Sequence, residues 1–123
     1  MTGATEQPSS RLIGSDRVEG IAVYDADGTA IGAVERFLID RQTGKVVYVV
    51  VSFGTFLDFG QEAYTIPWAR LSYDGGLGGY RTDVVESELR NAPRFAGGAE
   101  LAETEEEELH AHFRIPPYWR SAV

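Results

Sequence analysis

The chain has 123 residues, a formal net charge of -8 and no cysteine. Its size fits one domain that buries roughly two-thirds of the surface its unfolded form exposes. The missing thiols exclude disulfides, thiolate nucleophiles and thiolate metal sites and fit a reducing compartment. The acidic balance, with Lys45 the single lysine, argues against a phosphate-tracking surface and hence a nucleic-acid partner.

Residues 1–10 are polar and aperiodic, with nothing to offset the entropy of ordering them, so a disordered lead is expected. They show no positively charged start with an apolar core behind it, and nowhere do about 18 apolar residues run together. The expectation is a soluble cytoplasmic protein with no integral membrane segment. Structure should begin near Leu12 and Ile13, with Val18, Ile21, Val23 and Tyr24 supplying a first strand. Asp25-Ala26-Asp27-Gly28 is a turn signal, because glycine accepts positive φ and aspartate bonds its own backbone.

The next arm, Ala30 to Asp40, places Ile31, Ala33, Phe37 and Ile39 on one parity and Val34 and Leu38 on the other. A bend or bulge near Glu35 and Arg36, eased by Gly32, reconciles them. After a second turn at Arg41-Gln42-Thr43-Gly44 comes the most informative stretch, Val46-Val47-Tyr48-Val49-Val50-Val51. So short a β-branched run reads as a strand, and apolar side chains on both faces imply a central strand covered on both sides. Three consecutive antiparallel strands result.

Gly54 to Gly60 is a loop, yet it carries Phe56, Leu57 and Phe59. Core packing and an exposed contact patch are equally compatible with Phe56 and Phe59. Glu62 to Ile66 resumes strand character until Pro67-Trp68 ends it. Leu71 and Tyr73 give a further short strand, the Asp74 to Gly79 cluster a turn, and Tyr80 to Val85 the last strand. Six short strands with frequent turns predict a mainly β fold, a small antiparallel barrel or sandwich.

Glu88 to Ala92 can form one or two helical turns before Pro93 stops them. Residues 96–103 read as a linker. Thr104 and Glu107 match a capping box, and the glutamates at 105 to 108 suit the positive end of a helix dipole. A helix of about nine residues is marginal alone and must dock, through Leu109 and Phe113 at i and i+4. Pro116-Pro117 halts it, and Tyr118-Trp119 forms an aromatic anchor. Residues 104–123 are thus a C-terminal helix and aromatic tail.

Candidate chemistry is sparse. His110 and His112, at i and i+2, point to different helix faces, so joint metal ligation is disfavoured and a solvated face with helix C-terminal charge complementarity is expected. Asp25-Ala26-Asp27-Gly28 opens like a calcium loop, but Ala30 and Arg36 stand where that loop needs glycine and glutamate. The Gly75-Gly76-Leu77-Gly78-Gly79 cluster precedes a strand, whereas a phosphate cradle draws on a helix N-terminus. No nucleophilic triad signature is present. No catalytic, cofactor or metal residue is assigned, and no cofactor is expected.

The order and spacing of several pieces resemble the PRC-barrel family. They are Val23-Tyr24, Asp27-Gly28, Ile31-Gly32 with Val34, Ile39-Asp40, Thr43-Gly44-Lys45-Val46, Tyr48 to Val51, Ile66-Pro67-Trp68, Glu88-Leu89 and Ala92-Pro93-Arg94-Phe95. The resemblance places a barrel domain at residues 11–95 and implies a small, strongly bent β-barrel with a short C-terminal helical extension, as on some stand-alone bacterial members. It also implies an adaptor role, as in the reaction-centre H subunit and the RimM-type ribosome maturation factor, although the transmembrane helix of the one and the N-terminal barrel of the other are not seen here.

The expectation is therefore a non-enzymatic adaptor that works through protein contacts, beginning with a homodimer. Its candidate contact residues are Phe56, Leu57, Phe59, Leu109, Phe113, Tyr118 and Trp119. The rival readings are a small-molecule or metal-binding regulatory barrel and a peripheral subunit of a photosynthetic or other membrane complex.

Overall fold

The computed structural model describes residues 11–53, 63–93 and 101–120. Six strands form one sheet: β1 (Ala22–Tyr24), β2 (Ala30–Ile39), β3 (Val46–Ser52), β4 (Ala63–Pro67), β5 (Leu71–Asp74) and β6 (Gly79–Thr82). Their spatial order is β4-β3-β2-β1-β6-β5. Strands β4 and β5 are thus opposite edges, yet only the 3-10 turn Trp68–Arg70 separates them in sequence. A flat six-stranded sheet would hold its edges about 24 Å apart, at about 4.8 Å per step. The chain from Pro67 to Leu71 reaches at most about 14 Å. The sheet must therefore curl, and it does so into a half-barrel.

The turns form as their sequences demand. Asp25 Oδ1 accepts from the amides of Asp27 and Thr29, each at 2.9 Å, and Gly28 takes a φ of 87°. Asp40 binds the Gln42 amide at 3.0 Å, and Gly44 takes a φ of 80°.

The bend expected in the second strand is a bulge at Glu35. Val34 opposes Val51 and Phe37 opposes Val49, so three steps on β2 match two on β3. The extra residue brings Val34 and Phe37 to one face, with Val49, Val51, Ile66 and Tyr64, despite their opposite parity. Gly32 sits where a Cβ would stand 2.5 Å from the Ser52 carbonyl oxygen, so the close approach of β2 to the end of β3 excludes any side chain there. In β3, flanked by β2 and β4, Tyr48 to Val51 are all buried.

Four expectations need correction. The sheet is not wholly antiparallel: β1 and β6 pair in parallel. The short Trp68–Arg70 turn carries the chain across the barrel end instead of folding it back on β4, and the β5–β6 hairpin then lays β6 beside β1 in the same direction. The last strand ends at Thr82, not Val85, because the Thr82 hydroxyl bonds the Arg70 carbonyl at 2.7 Å and receives the Val84 amide at 3.1 Å, which turns the chain away from the ladder. Leu12 and Ile13 are exposed, and among the described residues the first to enter the core is Val18.

The fourth correction concerns the C-terminal helix, α2, which spans Glu103–Phe113 and is capped at Ala102. Its N-terminus is fixed by Glu105, whose carboxylate accepts the Ala102 amide at 2.7 Å, and Thr104 lies within the first turn. The preceding helix, α1 (Glu86–Arg90), is a single short turn that buries Leu89. Leu109 and Phe113 join one continuous core with Val23, Val34, Val49, Val51, Ile66 and Leu89, and α2 packs against edge strand β4.

Candidate functional site

Three titratable side chains, Glu106, His110 and Tyr118, converge on Tyr48, the tyrosine within the valine run. Because Tyr48 sits between valines, its parity sends the ring to the face opposite Val49 and Val51, toward α2. Its hydroxyl lies 2.8 Å from Glu106 Oε1 and 2.9 Å from His110 Nε2. Glu106 Oε1 also receives the Tyr118 hydroxyl at 2.8 Å, and His110 Nδ1 lies 3.0 Å from the Ile115 carbonyl oxygen. The rings interlock edge to face: Tyr48 with His110 at 5.5 Å, Tyr118 with Trp119 at 4.9 Å and His110 with Trp119 at 5.4 Å. Burial, then the hydrogen bond and charge of Glu106, holds the Tyr48 phenol far above its usual range and pushes Tyr118 up to about 12. Both therefore keep their protons at any physiological pH.

The other end of α2 is held by Arg70, which the 3-10 turn after Pro67 aims inward. Its guanidinium donates from Nε to Asp83 at 2.7 Å, makes two 3.0 Å bonds to the two oxygens of Glu88, and donates to the Phe113 carbonyl oxygen at 3.1 Å. A fork of fixed donors suits this bidentate geometry, and a cation at a helix C-terminus also complements the dipole. The hydrogen bonds from Arg70 hold the Glu88 carboxyl below its usual range, even though burial pushes the other way. His112 completes this anchor by donating from Nε2 to the Glu88 carbonyl oxygen at 2.7 Å.

A groove of about 600 Å³ runs between barrel and tail. Val46, Val47, Pro67 and Trp68 line it from the barrel side, and Pro116 and Trp119 from the tail. Trp68 and Trp119 are each 36% exposed, so both rings show a face to solvent within one apolar surface.

The candidate contact residues divide among different environments. Leu109 is 0% and Phe113 1% exposed, both in the core of their own barrel, Tyr118 is part-buried in the polar cluster, and Trp119 borders the groove. Phe56, Leu57 and Phe59 lie outside the described residues. The edge strand beside their loop, β4, is packed by α2, while at the opposite edge, β5, Ser72 and Tyr73 are exposed. His110 and His112 do face different partners, but the expected solvated face is wrong for His110, which is 5% exposed with both nitrogens engaged. Docking of the helix takes His110 out of water together with Leu109.

Sequence reasoning missed Tyr48, Glu106 and Arg70 as participants. The available signals were weak: one hydroxyl inside a valine run, and one arginine directly after a strand-ending Pro-Trp step.

Among the described residues no three or more of the side chains His, Asp and Glu gather into a metal-binding group, and no helix is long and apolar enough to cross a membrane. The curled sheet with a bulged second strand agrees with a family model described as the PRC-barrel domain, which matches residues 11–89. The chain belongs to the PRC-barrel family. A comparison with curated proteins gave no match. In this PRC-barrel chain α2 and the aromatic tail lie beyond the matched residues, so the Tyr48 cluster joins the family domain to a segment outside it.

Proposed function

We propose that this PRC-barrel protein is a non-enzymatic adaptor that works through protein contacts and self-associates. The observation that carries the reading is the pair of partly exposed tryptophans, Trp68 from the barrel and Trp119 from the tail, set in one apolar groove. Tryptophan is enriched among the residues that dominate protein interfaces, because a large rigid ring buries much area at little entropic cost. A groove built jointly by barrel and tail also ties the contact surface to the position of the tail. Self-association adds the β5 edge, which has no further strand beside it among the described residues and whose exposed Tyr73 suits pairing with a second copy.

The second reading is a small-molecule regulatory barrel, favoured by the groove itself, whose size lies in the range of ligand sites. Native mass spectrometry of the protein isolated gently from its source cell separates the two. A second copy or another protein, lost on the double substitution Trp68→Ala and Trp119→Ala, is the expected result. A monomer carrying a small molecule would overturn the adaptor reading in favour of the second.

A further inference from the structure

The hydrogen bonds around Tyr48 require one more hydrogen than their side chains carry in their ordinary states at neutral pH. Four contacts must each hold one hydrogen: His110 Nδ1 to the Ile115 carbonyl, His110 Nε2 to Tyr48, Tyr48 to Glu106, and Tyr118 to Glu106. A carbonyl oxygen only accepts, so the first bond fixes a hydrogen on Nδ1. A neutral imidazole then leaves Nε2 as an acceptor, and a carboxylate accepts from both phenols. Tyr48 has a single hydroxyl hydrogen and faces two acceptors at 2.8 and 2.9 Å. Whichever it serves at full strength, the other contact sets two lone pairs against each other in a buried site.

One added proton resolves the conflict. On His110 it makes an imidazolium that donates to the Ile115 carbonyl and to Tyr48, while Tyr48 and Tyr118 donate to a Glu106 carboxylate. On Glu106 it makes an acid that donates to Tyr48, while Tyr48 donates to a neutral His110. The phenols cannot be its source, since both stay protonated.

We infer that Tyr48, Glu106, His110 and Tyr118 form a proton-operated latch: docking the tail captures one proton, and raising the pH releases Tyr118 and Trp119 from the barrel. The charged groups around it come from two sides. Asp40 and Lys45, from the turn between β2 and β3, share the groove with His110, and Glu107 and Arg114 of α2 and its cap flank it on the other side. Each side pairs one acid with one base, so the field of these neighbours is nearly balanced and the hydrogen-bond count decides. Asp40 is further committed to the Gln42 amide and the Thr43 hydroxyl. In a released tail an imidazole in water loses its proton above about pH 6.5 and the carboxyl is already ionised. Release therefore sheds one proton above that pH and none just below it. Since His110, Tyr118 and Trp119 form one wall of the groove, release dismantles the groove. This inference rests on the bonds alone and stands whichever occupant the groove takes.

Nuclear magnetic resonance of the ring nitrogens and side-chain carboxyls at pH 7.5 tests it, with His112 as internal control. The expected result is His110 protonated on both nitrogens, or on Nδ1 alone with a protonated Glu106. A neutral His110 beside an ionised Glu106 would overturn it. The second arm measures tail opening from protection of the Ile115 amide, corrected for intrinsic exchange. Opening should grow by up to about tenfold per pH unit above about pH 6.5, one proton's worth of linkage. In Glu106→Gln the amide supplies the missing hydrogen, and the dependence should vanish with the tail still docked. A flat profile in the unaltered protein, or an unchanged slope in Glu106→Gln, would contradict the latch.

Discussion

Helix α2 is fastened to the barrel at two places built on different chemistry. Its middle turns meet Tyr48 through Glu106 and His110, which share one buried hydrogen-bond network, whereas its C-terminal end meets Arg70, a cation at every accessible pH. The Arg70 anchor joins β-barrel, α1 and α2 through Asp83, Glu88 and the Phe113 carbonyl. It lies where the matched family domain ends, while the Tyr48 cluster reaches into the tail beyond. The difference teaches that one helix can be kept in place by a permanent charge at one end and left adjustable along its length. The two anchors should then fail at opposite ends of the pH scale.

Both anchors presuppose that the apolar face of α2 is in the core, so the largest effect comes from removing it. Phe113→Ala should cost about 3–5 kcal/mol and Leu109→Ala about 2–5 kcal/mol in urea unfolding, since both side chains are buried. A cost near zero for both would mean that α2 is not part of the folding unit, and the comparison of its anchors would lose its basis.

Next in size is Arg70→Met, expected to cost about 1–3 kcal/mol by leaving Glu88 and the Phe113 carbonyl short of donors. A stability change confined to the tail, with α1 unaffected in hydrogen exchange, would refute the assignment of Arg70 as a link between both helices. Smaller again is the acid limb. Glu88 is held below the usual carboxylate range by Arg70, so its contribution is complete above the unfolded value near pH 4.3 and declines as pH falls through the lower folded value. Arg70→Met should remove this part of the acid sensitivity, measured as the slope of unfolding free energy against pH. The same slope in both proteins would show that the acid limb belongs to other carboxyls.

The sequence made the barrel legible for reasons that can be named. Glycines at positive φ marked two turns, the valine run marked the buried strand, and the parity clash around Glu35 marked a bulge. All three are local or two-strand signals. What stayed hidden depends on three-dimensional closure: the parallel β1–β6 pair follows from how the Trp68–Arg70 turn crosses the barrel end, and no periodicity encodes that. Docking partners for Leu109 and Phe113 were foreseeable from spacing, because apolar side chains must find a surface. The polar cluster was not, since a histidine on an acidic helix looks solvated until a tyrosine separated from it by 62 positions is placed against it.

Amide hydrogen exchange along α2, set against β3, tests most directly whether the tail is an integral part of this barrel. The amides of Leu109, His110 and Phe113 should be protected to a degree approaching those of Val49 and Val51, because all five residues belong to buried parts of the same structure. Full exchange of residues 105 to 114 within seconds at neutral pH, with β3 still protected, would show a free acidic arm and contradict both anchors.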